Sequence, residues 1–100
     1  MTIRHIVTWK LAAEDAETRA EQTAEIARRL EALVEVIPDI QTLQVGANVV
    51  YPETNWDVVL IADYEDAAAL ERYQVHPAHK EAAAYIRSVV AERSAVDFEL

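Results

Sequence analysis

Apolar and polar residues alternate from Thr2 to Lys10, the pattern of a strand with two different faces. Ile3, His5, Val7 and Trp9 share one face; Arg4, Ile6, Thr8 and Lys10 share the other. The period then changes. Asp15 is placed to cap a helix from about Ala16 to Ile37, whose apolar stripe is Ile26, Leu30, Leu33 and Ile37. Pro38 and Asp39 end it. Alternation returns from Gln41 to Val50, where Leu43, Val45, Ala47 and Val49 oppose Gln44, Gly46 and Asn48. Gly46, the one glycine, marks a bulge or a close approach of chains. Residues Tyr51 to Trp56 form a loop. Asp57 to Tyr64 is almost wholly apolar, as in a strand covered on both faces. Asp66 opens a helical stretch that breaks near Pro77 and resumes to about Ala91. Ser94 to Glu99 forms a short last strand.

The order β-α-β-β-α-β predicts one α+β domain over residues 1–100, of the ferredoxin-like kind, with a four-stranded sheet of antiparallel type. Both helical segments then cover one sheet face. The other face carries Arg4, Ile6, Thr8, Val59, Ile61, Val96 and Phe98, too apolar a set to leave in water. A second copy of the chain across a twofold axis is the simplest cover, so a homodimer is expected. The first and third strands are expected to be parallel neighbours, so that Arg4 and Asp57 fall near one end of that face and pair, within a subunit or across the twofold axis.

Composition narrows the function classes. A hydrophobic content of 52% argues against disorder. With no cysteine there is no disulfide frame, thiolate nucleophile or zinc–thiolate site, which suits a cytoplasmic protein. No apolar run approaches the roughly 18 residues of a membrane span, and the N-terminus lacks a signal pattern. A net charge of −9 argues against nucleic acid and anionic membranes as partners. No glycine-rich phosphate loop or nucleophile elbow is present, and nothing points to a flavin, nicotinamide or haem cofactor.

The chemistry-bearing stretch is Tyr73-Gln74-Val75-His76-Pro77-Ala78-His79, which holds two of the three histidines. Pro77 disfavours helical geometry at His76 and is well suited to open a new helix. Such a break can turn Tyr73 and His79 toward one pocket. Two readings are open: an acid/base pair, since histidine titrates near neutrality and a phenol donates a proton, or a structural helix break with surface histidines.

The chain resembles the stress-responsive A/B barrel (Dabb) family. The resemblance spans nearly its whole length. It rests on Ile3-Arg4-His5-Ile6-Val7, Gly46 with Asn48, Asp57, Tyr73 with His76-Pro77-Ala78-His79, and Arg93 with Val96-Asp97-Phe98. It implies a ferredoxin-like fold whose homodimer packs two sheets face to face as a barrel. One plant branch of the family cyclises polyketides by cofactor-free aldol condensation. Its acid/base pair falls on Tyr73 and His79, and its first-strand cavity histidine on His5. Two polar cavity groups of that branch are replaced here by Val58 and Leu30, so the resemblance implies a more apolar pocket.

Residue by residue, His5 is either a hydrogen-bonded core histidine or a third catalytic group. Val7, Trp9, Ile26, Leu30, Leu60, Ala62 and Val90 are either plain core or the lining of a ligand pocket. A metal site from His5, His76, His79 and Asp57 is disfavoured, because the proline break separates the two neighbouring histidines and no thiolate or second carboxylate completes a set. The expectation is a homodimer with a pocket for a small carbonyl-bearing or aromatic ligand, with cofactor-free cyclase-like or lyase chemistry. The alternatives are a non-catalytic stress-associated dimer and, by fold analogy, a cofactor-free monooxygenase.

Overall fold

A computed structural model describes all 100 residues. It contains β1 (Ile3–Leu11), α1 (Ala16–Glu31), a 3₁₀ turn (Ala32–Glu35), β2 (Thr42–Ala47), β3 (Val58–Tyr64), α2 (Ala67–Val75), α3 (Pro77–Val89) and β4 (Val90–Glu99). Asp15 caps α1 by accepting from the Thr18 N–H at 2.9 Å, and Asp66 caps α2 through the Ala69 N–H at the same distance.

Three boundaries differ from the sequence reading, each for a local reason. The first helix tightens into 3₁₀ form at Ala32, where β-branched Val34, Val36 and Ile37, weak helix formers, lead up to Pro38. The second strand stops at Ala47, because the Asn48 side chain donates to the Val50 carbonyl at 2.7 Å and curls the chain out of the ladder. Tyr51 in the same loop takes a left-handed φ of 51°. The last strand starts at Val90, directly after α3, and the Ala12 N–H fixes this corner by donating to the Val89 carbonyl.

The sheet order is β2-β3-β1-β4, and every neighbouring pair is antiparallel. The fold is the ferredoxin-like α+β fold. The expectation that the first and third strands run parallel is wrong. Each helical crossover joins parallel strands that are not neighbours, and the strand inserted between them runs the other way. Arg4 therefore lies opposite Asp63, not near Asp57. Its guanidinium grips the Asp63 carboxylate in a fork, at 2.9 and 3.0 Å. Asp57 sits at the far end, where it accepts from the Leu11 N–H at 2.8 Å and lies 3.8 Å from Arg19.

Helices cover one face of the sheet. His5, Val7, Trp9, Val58, Leu60, Ala62 and Tyr64 point into that layer and are buried, packed against Ile26, Leu30, Tyr73 and Ile86 of the helices. The other face has no cover. On it Val96 is 60% and Phe98 41% exposed, and Ile6, Val59 and Ile61 are only partly buried. Gly46 lies on this open face, where a Cβ would stand 3.2 Å from Val59. The glycine thus serves close contact and not a bulge, since the β2–β3 register is unbroken. No helix is long and apolar enough to cross a membrane.

Candidate functional site

The break between α2 and α3 builds the site. His76 is extended (φ −63°, ψ 135°), as a residue before proline prefers. Its Nδ1 accepts from the Ala78 N–H at 3.0 Å, and Pro77 occupies the first helical position. His76 is thus the cap of α3. The turn swings the next histidine back over the end of α2. There His79 Nδ1–H donates to the Gln74 carbonyl at 3.0 Å. This bond selects the tautomer and leaves Nε2 with its lone pair and no protein partner. The His79 ring packs on Tyr73 with centroids 4.4 Å apart.

On the sheet side, the β1–β4 register places His5 opposite Asp97, and His5 Nδ1 bonds the Asp97 carboxylate. That carboxylate orients the His5 ring and likewise leaves its Nε2 without a protein partner. His5 is edge-on to both Tyr64 and Tyr73, at 6.3 and 6.4 Å, and the two tyrosine rings lie 4.9 Å apart. Both tyrosine hydroxyls are buried, and neither makes a hydrogen bond of normal geometry.

The electrostatics follow from burial. Loss of water holds His79 below the usual imidazole range; the Gln74 carbonyl works against this, and His5, Arg93 and Arg87 add to it by repulsion. His79 is therefore a neutral imidazole at neutral pH. Burial pushes the Tyr73 phenol up to about 12, with the Tyr64 hydroxyl opposing slightly, so Tyr73 keeps its proton. Burial also raises Tyr64, helped by Tyr73 and by the Asp97 and Asp63 carboxylates.

His79 and Tyr73 share the wall of one cavity of about 320 Å³ between sheet and helices, with Tyr64 behind Tyr73. His5, Tyr73 and His79 all line it. So do Val7, Trp9, Leu30, Leu60 and Val90. Ile26 and Ala62 do not: both are fully buried in the packing outside its wall. No three histidine or carboxylate side chains converge in a way that could hold a metal ion.

The sequence model of the "Stress responsive A/B Barrel Domain" matches residues 3–100. The chain belongs to this Dabb family. No curated protein matches it. Among solved structures, a dimeric ferredoxin-like protein of unknown function from Thermobifida fusca is 31% identical, with a TM-score of 0.83 over 100% of this chain and 92% of that one. A dimeric protein of the same fold, also of unknown function, from Bacteroides fragilis is 26% identical, with a TM-score of 0.90 over 99% and 96%. The hydroxynitrile lyase of Passiflora edulis is similar in fold alone: 12% identity, TM-score 0.78, coverage 97% and 91%.

Within this Dabb domain the sequence reading missed apolar Ile86 on the cavity wall and five polar groups at or beside it. Gln74, Arg87 and Arg93 line it, Asp97 holds His5, and Tyr64 backs Tyr73. Asp97 and Arg93 were within reach of pattern analysis. Counting alternation backward from Phe98 puts both on the inward face, where a charged residue on a strand asks for a partner or a ligand. Gln74 acts through its backbone carbonyl, which carries no sequence signal.

Proposed function

We propose that this Dabb protein is a homodimer in which each subunit binds a small carbonyl-bearing or aromatic ligand in the cavity. On that ligand it catalyses cofactor-free proton transfer of the aldol-cyclase or lyase kind. The observation that carries this reading is the convergence of His79, Tyr73 and His5 on one apolar cavity, with His79 neutral and its Nε2 unpartnered. A general base needs both properties at neutral pH.

The chemistry is concrete. His79 Nε2 takes a proton from the carbon beside a ligand carbonyl. The C–H electron pair moves into an enolate, and the carbonyl oxygen becomes an oxyanion. The enolate carbon attacks a second carbonyl carbon of the same ligand, forming the C–C bond, and that second oxygen takes the proton back from His79. The cycle is balanced in protons and electrons. Tyr73 packs on His79 and fixes its ring. The neutral Tyr73 hydroxyl donates to the oxyanion. His5, steadied by Asp97, presents a second ring nitrogen to the same space. The exposed apolar sheet face supports the dimer, as do the dimeric relatives.

A second reading, a non-catalytic dimer, draws on His76 acting as a helix cap and on the enclosure of the Tyr73 hydroxyl. Deuterium exchange at the α-carbon of a small aryl β-keto ester, followed by NMR in D₂O, separates the two. Exchange above buffer rate that disappears in a folded His79→Ala variant is the expected result. Exchange no faster than buffer in the wild type, or undiminished in the variant, refutes catalysis by His79.

A further inference from the structure

The chain carries twice as many acidic residues as basic ones, 18 against 9, so its cations have carboxylates to choose from. Most use them. Arg4 pairs with Asp63, Arg19 with Asp57, Arg28 and Arg29 with Glu25, and Arg72 with Asp39. The two arginines without a carboxylate partner are Arg87 and Arg93, and both line the same cavity. One comes from the last turn of α3 and the other from the inward face of β4, opposite Trp9. Both are exposed, so they stand where the cavity meets solvent, while Val7, Leu30, Leu60 and Ile86 make its interior apolar.

Two cations from separate elements, unpaired in an acidic protein and set at one apolar cavity, form a complementary frame for an anion with a hydrophobic body. We infer that the cavity selects a small apolar carboxylate, with Arg87 and Arg93 receiving the carboxylate and the inner walls receiving the hydrocarbon. The guanidinium fork matches a carboxylate in geometry as well as charge. The same charges repel a protonated His79 and help to keep it neutral, so an anion seated between them would soften that repulsion. This inference rests on the cavity being a ligand site, and it names the ligand's charge class. Neither arginine is assigned a part in bond making.

The test uses two probes of one shape, 4-butylbenzoate and its uncharged amide, 4-butylbenzamide, titrated calorimetrically into the intact protein at neutral pH. The expected result is tighter binding of the carboxylate by about tenfold, the scale of one charge-assisted contact at a partly exposed site. The preference should shrink as salt is raised from about 0.01 to 0.5 M. In Arg87→Gln with Arg93→Gln it should vanish while binding of the amide persists. That persistence also shows that the double variant is folded. Equal binding of the two probes by the wild type overturns the charge assignment and leaves the cavity reading intact. So does a preference that survives in the double variant. Binding of neither probe removes the cavity reading and this inference with it.

Discussion

The two faces of this sheet are built from the same strands and differ in how they are completed. Leu60 and Val59 are chain neighbours, yet Leu60 is buried under the chain's own helices while Val59 points to the open side. On the inner face both cavity histidines have a fixed relation to this chain: His5 to Asp97, His79 to the Gln74 carbonyl. On the outer face the Arg4–Asp63 fork sits among exposed Val96 and Phe98 and partly buried Ile6 and Ile61. The inner face is therefore a finished layer with a cavity in it, and the outer face is half of a layer. A subunit can build its cavity alone, but its open apolar face calls for a second copy.

Paired substitutions on the two faces test this difference most directly. Leu60→Ala removes a fully buried side chain and should cost about 2–5 kcal/mol of unfolding free energy, read as a lowered urea midpoint. Its neighbour Val59→Lys should leave the fold in place and weaken dimer association by about 100-fold or more, because the twofold axis brings two unpaired charges to one seam. Sedimentation velocity reads this. If the lysine variant remains a dimer of unchanged affinity, the open face is not the interface. If Leu60→Ala is as mild as a surface change, the inner layer is not the finished core described here.

The faces themselves were legible in the sequence, because alternation in a strand is a local property. Ile3, His5, Val7 and Trp9 fall together whatever the strand pairs with, and Pro77 announces the helix break without any tertiary information. Partners across the sheet were not legible. Asp63 as the mate of Arg4 depends on strand direction, and a parallel pairing pointed to Asp57 at the wrong end. Asp97 as the mate of His5 depends on register between strands at opposite ends of the chain. The start of β4 was hidden for another reason: Val89, Val90 and Ala91 suit either helix or strand, and the Ala12 contact to Val89 decides where one gives way to the other. Which of the apolar residues line a cavity, and which merely fill the core, depends on packing volume, so Ile26 and Ala62 looked no different from Leu30 and Leu60.

Acid should act on the inner face through His79. Its pKa in the folded protein lies below the ordinary histidine value of 6.5, so folding favours the neutral ring. That contribution is fully present above 6.5 and is lost as pH falls toward and through the lowered folded value. The thermal midpoint of the wild type should therefore drop between pH 8 and pH 5 more than that of His79→Gln, which has nothing to protonate there. Equal drops in the two proteins would mean that His79 is not held neutral by its surroundings. The same displacement predicts that the acid limb of any proton-transfer activity begins below pH 6.5.

The smallest change to the fold should come from Tyr73→Phe, and it discriminates the site from the core most finely. The Tyr73 hydroxyl is buried and makes no hydrogen bond of normal geometry, while its ring is packed between His79, His5 and Tyr64. Removing the oxygen keeps the ring contacts and relieves a buried polar atom of its poor solvation. Stability should change by no more than about 0.5 kcal/mol, in either direction. A hydroxyl kept only for packing would be expendable, and ligand affinity and proton exchange would then match the wild type. A hydroxyl kept for chemistry would show itself in the rate alone. Exchange at the ligand's α-carbon should slow by about tenfold or more, as when a donor to a developing oxyanion is lost, with the melting temperature and the dimer unchanged. That dissociation of rate from stability is the signature of a site residue, whereas Leu60, buried on the same cavity wall, should lose both together.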